Sequence, residues 1–345
     1  MIAMPTAPFV IAPPAAASAA PRPQRGVALL LAMLIVALVA SLAASASWQQ
    51  WRSAQAEADE RAQAQVHWLV RGALDWSKII LRIDATDDRR KAQQADHLDE
   101  PWTVPLAESK LGAFLSAERN IATDANADLG QAYFSGGMLD LDGRLNLSNL
   151  IRHQAIDPAA LAQWQRLFEA LGLGGDLAQQ VAQKYLDATR RDLDAPVPLA
   201  PRCIEQLGWL GLSAEHIALL RPHATILPGR TRLNLNTASA RVLAAALPPQ
   251  AGAATAEKLA AVRMKPFTSL ADAQAFMPEG VQLDANLFGV ASQYFLVAGR
   301  LRIDELEIQD QFLVERQGQT LQTLGRACPV PPGTPLEALM QASPQ

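Results

Sequence analysis

The sequence predicts an α+β protein in which a long N-terminal helix packs on an antiparallel sheet, with a large all-α domain inserted between the strands. Three observations predict it. An uncharged run over residues 27–46 leads, without proline or glycine before residue 72, into an amphipathic pattern that reaches residue 83. Residues 148–288 read as helices separated by proline, glycine and asparagine signals. Residues 289–328 then switch to apolar alternation of period two, the mark of half-buried strands.

The N-terminal helix comes first. Residues 1–26 contain Arg22 and Arg25 and no acid, and residues 27–46 carry no charge. At ~1.5 Å per helical residue that run spans roughly 30 Å, the thickness of a bilayer's hydrocarbon core. The preceding arginines keep the leader cytoplasmic and send the remainder across. Trp48 and Trp51 follow where amphipathic rings favour the headgroup layer. A secretory signal peptide would have an apolar core of only ~7–15 residues. Here the helical pattern instead continues through Trp51, Ala54, Ala58, Ala62, Val66, Leu69, Ala73, Trp76, Ile80 and Ile83, in steps of three and four.

Next, residues 84–147 read as a polar surface loop followed by the first strands, with Asp142-Gly143 as a hairpin turn between apolar runs. In the inserted domain a helix opens at Asp157-Pro158 and closes at Gly172. Arg144-Leu145-Asn146-Leu147 returns as Arg232-Leu233-Asn234-Leu235, a weak internal repeat in which a short extended piece ends in a helix cap. Three strands within residues 291–327 complete the sheet begun at residues 131–147. Residues 329–345 form a proline-rich tail, expected to be flexible.

Composition bounds function. The 345 residues are 50% hydrophobic and 19% charged with a net charge of −4, a globular balance without the basic surface that nucleic acid demands. No Gly-x-Ser-x-Gly, Walker loop, HExxH or CxxC pair occurs, and His67, His97, His153, His216 and His223 lack ligand spacing. No catalytic residue and no metal site is therefore expected. Asp124, Asn126 and Asp128 start like a calcium loop, but Gly130 falls one place late and Ser135 stands where a bidentate glutamate belongs. Cys203 and Cys328 are too few for a disulfide scaffold. In an exported domain they can form one bridge or lie as two buried thiols.

These features resemble a known family. Arg25-Gly26-Val27-Ala28-Leu29-Leu30 looks like a prepilin peptidase site, which implies cleavage between Gly26 and Val27 and methylation of the new N-terminus. Pilins usually carry glutamate at the fifth mature position. Leu31 stands there, a departure that the K-type minor pseudopilins of type II secretion systems share. The segments Asp96-His97-Leu98-Asp99-Glu100-Pro101-Trp102, Asp142 to Leu150 and Ala218 to Pro248 are similar to that family's sequences. The resemblance implies a pilin fold with a helix-hairpin-helix-like insert and a subunit at the pseudopilus tip, marked by Leu31, where it initiates assembly and limits length. It implies as partners the I-type and J-type minor pseudopilins, prepilin peptidase and the inner-membrane secretion platform. The chain would be anchored once in the bacterial inner membrane, with its C-terminal domain periplasmic. Family members can hold calcium in the helical domain. Here Asp187, Asp192 and Asp194 are interrupted by Arg190 and Arg191, so no cofactor is expected and calcium is the one ion left open.

Two rivals share parts of this pattern. Asn234-Leu235-Asn236-Thr237-Ala238 with Pro266-Phe267-Thr268-Ser269 is similar to helix-hairpin-helix modules of DNA-uptake receptors. The turn here has prolines, which remove N–H donors, and lacks the Gly-x-Gly that grips phosphate. A type IV minor pilin shares the processing site but ordinarily lacks so large an insert.

Overall fold

A computed structural model describes residues 25–91, 95–110, 132–190, 198–263, 265–303 and 306–328. The leader before Arg25, the Asp124 loop, Asp192, Asp194 and the tail lie outside them. The chain divides into two units, Met1–Ala64 and Gln65–Gln345.

Helix α1, Arg25–Lys91, belongs in part to each unit. It runs past residue 83, where the sequence predicts a loop. The extension has two causes: the basic residues Arg89, Arg90 and Lys91 suit the negative end of a helix, and Asp84 is held by Arg316 from the sheet.

In the second unit the strands are β1 Leu106–Lys110, β2 Ala132–Asp140, β3 Leu145–Asn146, β4 Ile151–Arg152, β5 Ala155–Ile156, β6 Ala224–Thr225, β7 Leu233–Asn234, β8 Phe288–Gly289, β9 Tyr294–Ile303, β10 Leu306–Gln317 and β11 Thr320–Arg326. The principal sheet has the order β1-β2-β9-β10-β11 with antiparallel neighbours. Alternation along β9 assigns its faces. Phe295 and Val297 join Leu74 and Leu81 of α1, with Met138 and Val314, in one apolar cluster. Tyr294 and Leu296 join Leu139, Leu141, Leu227 and Leu313 in another. The sheet thus meets α1 with one set of side chains and the inserted domain with the other.

That insert connects neighbouring strands, β2 and β9. It contains α2 Pro158–Ala170, α3 Gly175–Arg190, α4 Ala214–Leu220, α5 Ala240–Ala246, α6 Gly252–Val262 and α7 Leu270–Gln274, around a core that includes Trp164, Phe168, Leu207, Leu220 and Leu235. Asp157 caps α2 through its side chain, and Gly172 ends it with a positive φ of 75°.

Asp142-Gly143 makes no hairpin. β2 is one nine-residue strand, and β3 leaves it to pair in parallel with β6. Gly143 answers to a close approach instead: a Cβ there would lie 2.7 Å from Thr237 Oγ1. Asn146 caps only a 3-10 turn, Leu147–Leu150, so the first true helix waits for Asp157.

Candidate functional site

Two regions stand out among the described residues. The first is the segment of α1 in the N-terminal unit. Val27 is 61% exposed and Leu31 57%, and the large apolar residues from Leu29 to Leu42 are exposed with them. One stretch within Gly26–Arg61 is long and apolar enough to cross a membrane, compatible with a single N-terminal anchor. Trp48 and Trp51 stack at 5.4 Å just beyond the uncharged run. Gly26 and Val27 are the first residues after Arg25, where α1 begins.

The second region is a buried polar joint in the other unit. Arg316 of β10 donates from Nη1 to Asp84 of α1 at 3.0 Å, and from Nη2 to Asp96 and to the Ser292 carbonyl. Its guanidinium lies 4.8 Å from the centroid of Phe295. Asp96 also accepts from the Ser292 N–H at 2.6 Å. The Ser292 hydroxyl donates to Asp140 of β2 at 2.6 Å, and Thr237 and Asn234 of the insert donate to the same carboxylate oxygen. Asn234 Nδ2 further reaches Ser292 Oγ at 2.7 Å and the Asp96 carbonyl at 3.1 Å. One network therefore links α1, the sheet and the inserted domain. Each charge in it has partners, as burial requires.

Burial governs the protonation of this joint. Burial raises Asp84 to about 6, reinforced by Asp96 and only partly opposed by Arg316. Glu100 rises to about 8, again through burial and then through Asp84 and Asp96. Asp140 and Asp142 are both raised by burial, and Asp140 pushes Asp142 further. Burial acts to lower Arg316, but Asp96 and Asp84 outweigh it and the guanidinium stays charged.

The residues singled out in the sequence divide between these places. Glu100 and Trp102 are buried, and the Trp102 Nε1–H donates to Glu100 Oε2 at 2.6 Å while its ring meets Phe295 edge-on. His97 Nδ1 accepts from the Asp99 N–H, so this acidic segment is a turn tied to itself. Cys203 and Cys328 form a disulfide with Cα atoms 6.1 Å apart, joining the insert to the end of β11. In the helix-hairpin-helix-like part, Arg263 donates to the Ala238 carbonyl and Lys258 lies over the Phe276 ring, so both serve packing.

Asp84, Asp88, Asp96 and Glu100 bring carboxylate oxygens within 4.8 Å of one another, but Arg316 already supplies the positive charge at two of them. Asp187, in the segment considered for calcium, accepts from Gln183 on its own helix. Sequence reasoning missed Arg316, Asp140 and Ser292. A signal for the first existed: Arg316 shares the parity of the inward-facing Phe312 and Val314, so period two predicts a buried cation.

A helix on one face of an antiparallel sheet, with a helical domain spliced between adjacent strands, defines a pilin-like fold. Residues 143–229 match the family described as type II secretion system, protein K. Over 244 residues the chain is 27% identical to type II secretion system protein K of Pseudomonas aeruginosa, covering 65% of this chain and 68% of that one. It also resembles a chain in the crystal structure of the GspK–GspI–GspJ complex from the enterotoxigenic Escherichia coli type 2 secretion system. That likeness has a TM-score of 0.57 at 17% identity, over 78% of this chain and 97% of that one, and speaks to the fold. The chain is thus similar to type II secretion system protein K over the matched residues.

Proposed function

We propose that this chain is the minor pseudopilin at the tip of a type II secretion pseudopilus. There it assembles with I-type and J-type minor pseudopilins to start the fibre, limit its length and support export across the outer membrane. The observation that carries this reading is the pairing of an exposed apolar helix with a sheet domain whose strands are interrupted by a large helical insert. The apolar helix serves membrane storage and then fibre packing, and the bulk of the insert stops another subunit stacking above it. The family is structural, and the chain makes and breaks no bond. Prepilin peptidase cuts between Gly26 and Val27, the folded part lies in the periplasm, and Leu31 marks a subunit with no amine ahead of it to neutralise. The inner-membrane secretion platform receives the processed chain. No cofactor is needed for any of this.

Co-expression with prepilin peptidase, followed by mass spectrometry and co-purification with the I-type and J-type subunits, tests the reading. A chain starting at Val27 and retained by both partners is expected. A start near Ser47, or failure to co-purify, would refute it.

A further inference from the structure

A cleft of about 1370 Å³ lies where the insert meets the sheet, beside the Cys203–Cys328 bridge. Its charge runs against that of the chain. The whole sequence carries −4, yet the described lining contains five arginines and two glutamates. Arg221 is paired with Glu205 at 3.2 Å, and Arg326 with Asp310 at 2.8 Å. Arg144, Arg202 and Arg241 have no ion pair among the described residues, and neither does Glu257, the other acid of the lining.

His223 sits among them. It is 5% exposed, and its buried Nδ1 has no hydrogen-bond partner. Burial, then Arg241 and Arg144, push its pKa down to about 4, so the ring is neutral and can present Nδ1–H to an anion. Burial also brings Arg144 down to about 10, with Asp140 and Glu205 opposing the fall. Two guanidinium groups and an unsatisfied imidazole thus converge on one place, with Asp140 and Glu205 acting on Arg144 but no direct ion pair to either guanidinium among the described residues, which is costly until an acid arrives.

The surroundings say what bears that acid. Leu296, Leu313 and Leu324 line the cleft beside its charged groups, so its occupant carries apolar side chains next to the acid. The cleft exceeds the roughly 300–1,000 Å³ of ordinary small-molecule sites. It is bordered by β11, the outermost strand of the sheet, through Leu324, Gly325 and Arg326. An outermost strand has backbone N–H and C=O groups available to an added extended chain.

We propose that this cleft docks an extended, apolar segment of a partner protein, with one carboxylate of that segment seated between Arg144, His223 and Arg241. Arginine forks bind carboxylates in two-pronged fashion, and the leucines take the flanking side chains.

The test uses the full, disulfide-bonded chain in detergent micelles and isothermal titration calorimetry. The probe is a capped ten-residue peptide of alternating valine and threonine with one central glutamate, and its twin has glutamine there. The glutamate peptide is expected to bind at least tenfold more tightly. Arg241→Glu, at an exposed position, removes that preference while circular dichroism and the melting temperature stay unchanged. Arg241→Lys restores part of it. Equal binding of the twins, no binding of either, a preference that survives Arg241→Glu, displacement by sodium acetate at equal concentration, or stronger competition by a DNA duplex would each overturn the proposal.

Discussion

The N-terminal part of α1 and the joint around Arg316 invert each other. In the first, leucine, valine and methionine are exposed along a helix. In the second, Arg316, Asp84, Asp96, Asp140 and Asn234 are buried and bonded to one another. A large exposed apolar surface needs lipid or a partner to cover it. A buried polar network contributes less to stability than apolar packing would, but it accepts only one arrangement of its donors and acceptors. One region awaits its surroundings, and the other holds three parts of a domain in register.

The largest effect should come from giving the first region the character of the second. Leu34→Arg with Leu38→Arg places two charges near the middle of the uncharged run. At about 2.5–3.5 kcal/mol each for insertion, the pair should move the chain from the membrane pellet to the soluble or degraded fraction. Retention in an alkali-washed membrane pellet would break the contrast between the two regions.

Next comes the covalent tie between the insert and the end of β11. Cys203 and Cys328 are separated by 125 residues, so their bridge closes a long loop. Cys203→Ser should cost ~2–5 kcal/mol in chemical denaturation of the full chain, a loss that reducing agent reproduces in the parent. A change below ~1 kcal/mol would mean that the noncovalent network alone holds insert to sheet.

Local signals made much of this fold legible. Asp157, Pro158 and Gly172 bound a helix through contacts within a few residues, and the period-two strands β9, β10 and β11 fall where alternation predicts. What escaped was set at a distance. α1 continues to Lys91 because Asp84 meets Arg316 across 232 residues. Gly143 looks like a hairpin glycine but is required by Thr237. β1 went unread because three of its five residues are exposed and its partner β2 defines it. The Arg-Leu-Asn-Leu repeat shows both sides. Asn146 and Asn234 each accept from the N–H two residues on, as a local motif should. Yet Asn146 Nδ2 serves Gly229 and Thr231 within the insert, while Asn234 Nδ2 reaches Asp140, Ser292 and Asp96.

That difference yields a sharper test. Asn234→Ala should cost ~3 kcal/mol, because three groups lose a buried donor at once. Combined with Asp140→Ala in a double-mutant cycle, it should show a coupling of ~1–3 kcal/mol, as bonded neighbours do. Asn146→Ala paired with the same Asp140 change should be additive, because no bond joins those side chains. Coupling of equal size in both cycles would erase the distinction between an insert motif and a joint.

The smallest effect concerns protons. Burial raises Glu100 from its ordinary 4.5 to about 8, with Asp84 and Asp96 adding to the rise. The unfolded chain releases this proton as pH passes through the ordinary value, while the folded chain keeps it. Its stabilising contribution is therefore fully present below the ordinary value and drains away as pH rises to about 8. Tenfold in proton affinity corresponds to about 1.4 kcal/mol, and relaxation of a cluster of facing carboxylates reduces the total. Glu100→Gln keeps an oxygen for the Trp102 Nε1–H and the His97 N–H but cannot ionise. It should leave stability near the parent's at pH 5 and raise it by ~2 kcal/mol at pH 9. Denaturant titrations at both values decide the matter. If the variant is no more stable than the parent at pH 9, the buried joint does not strain against its own charge, and its contrast with the exposed helix is one of position alone.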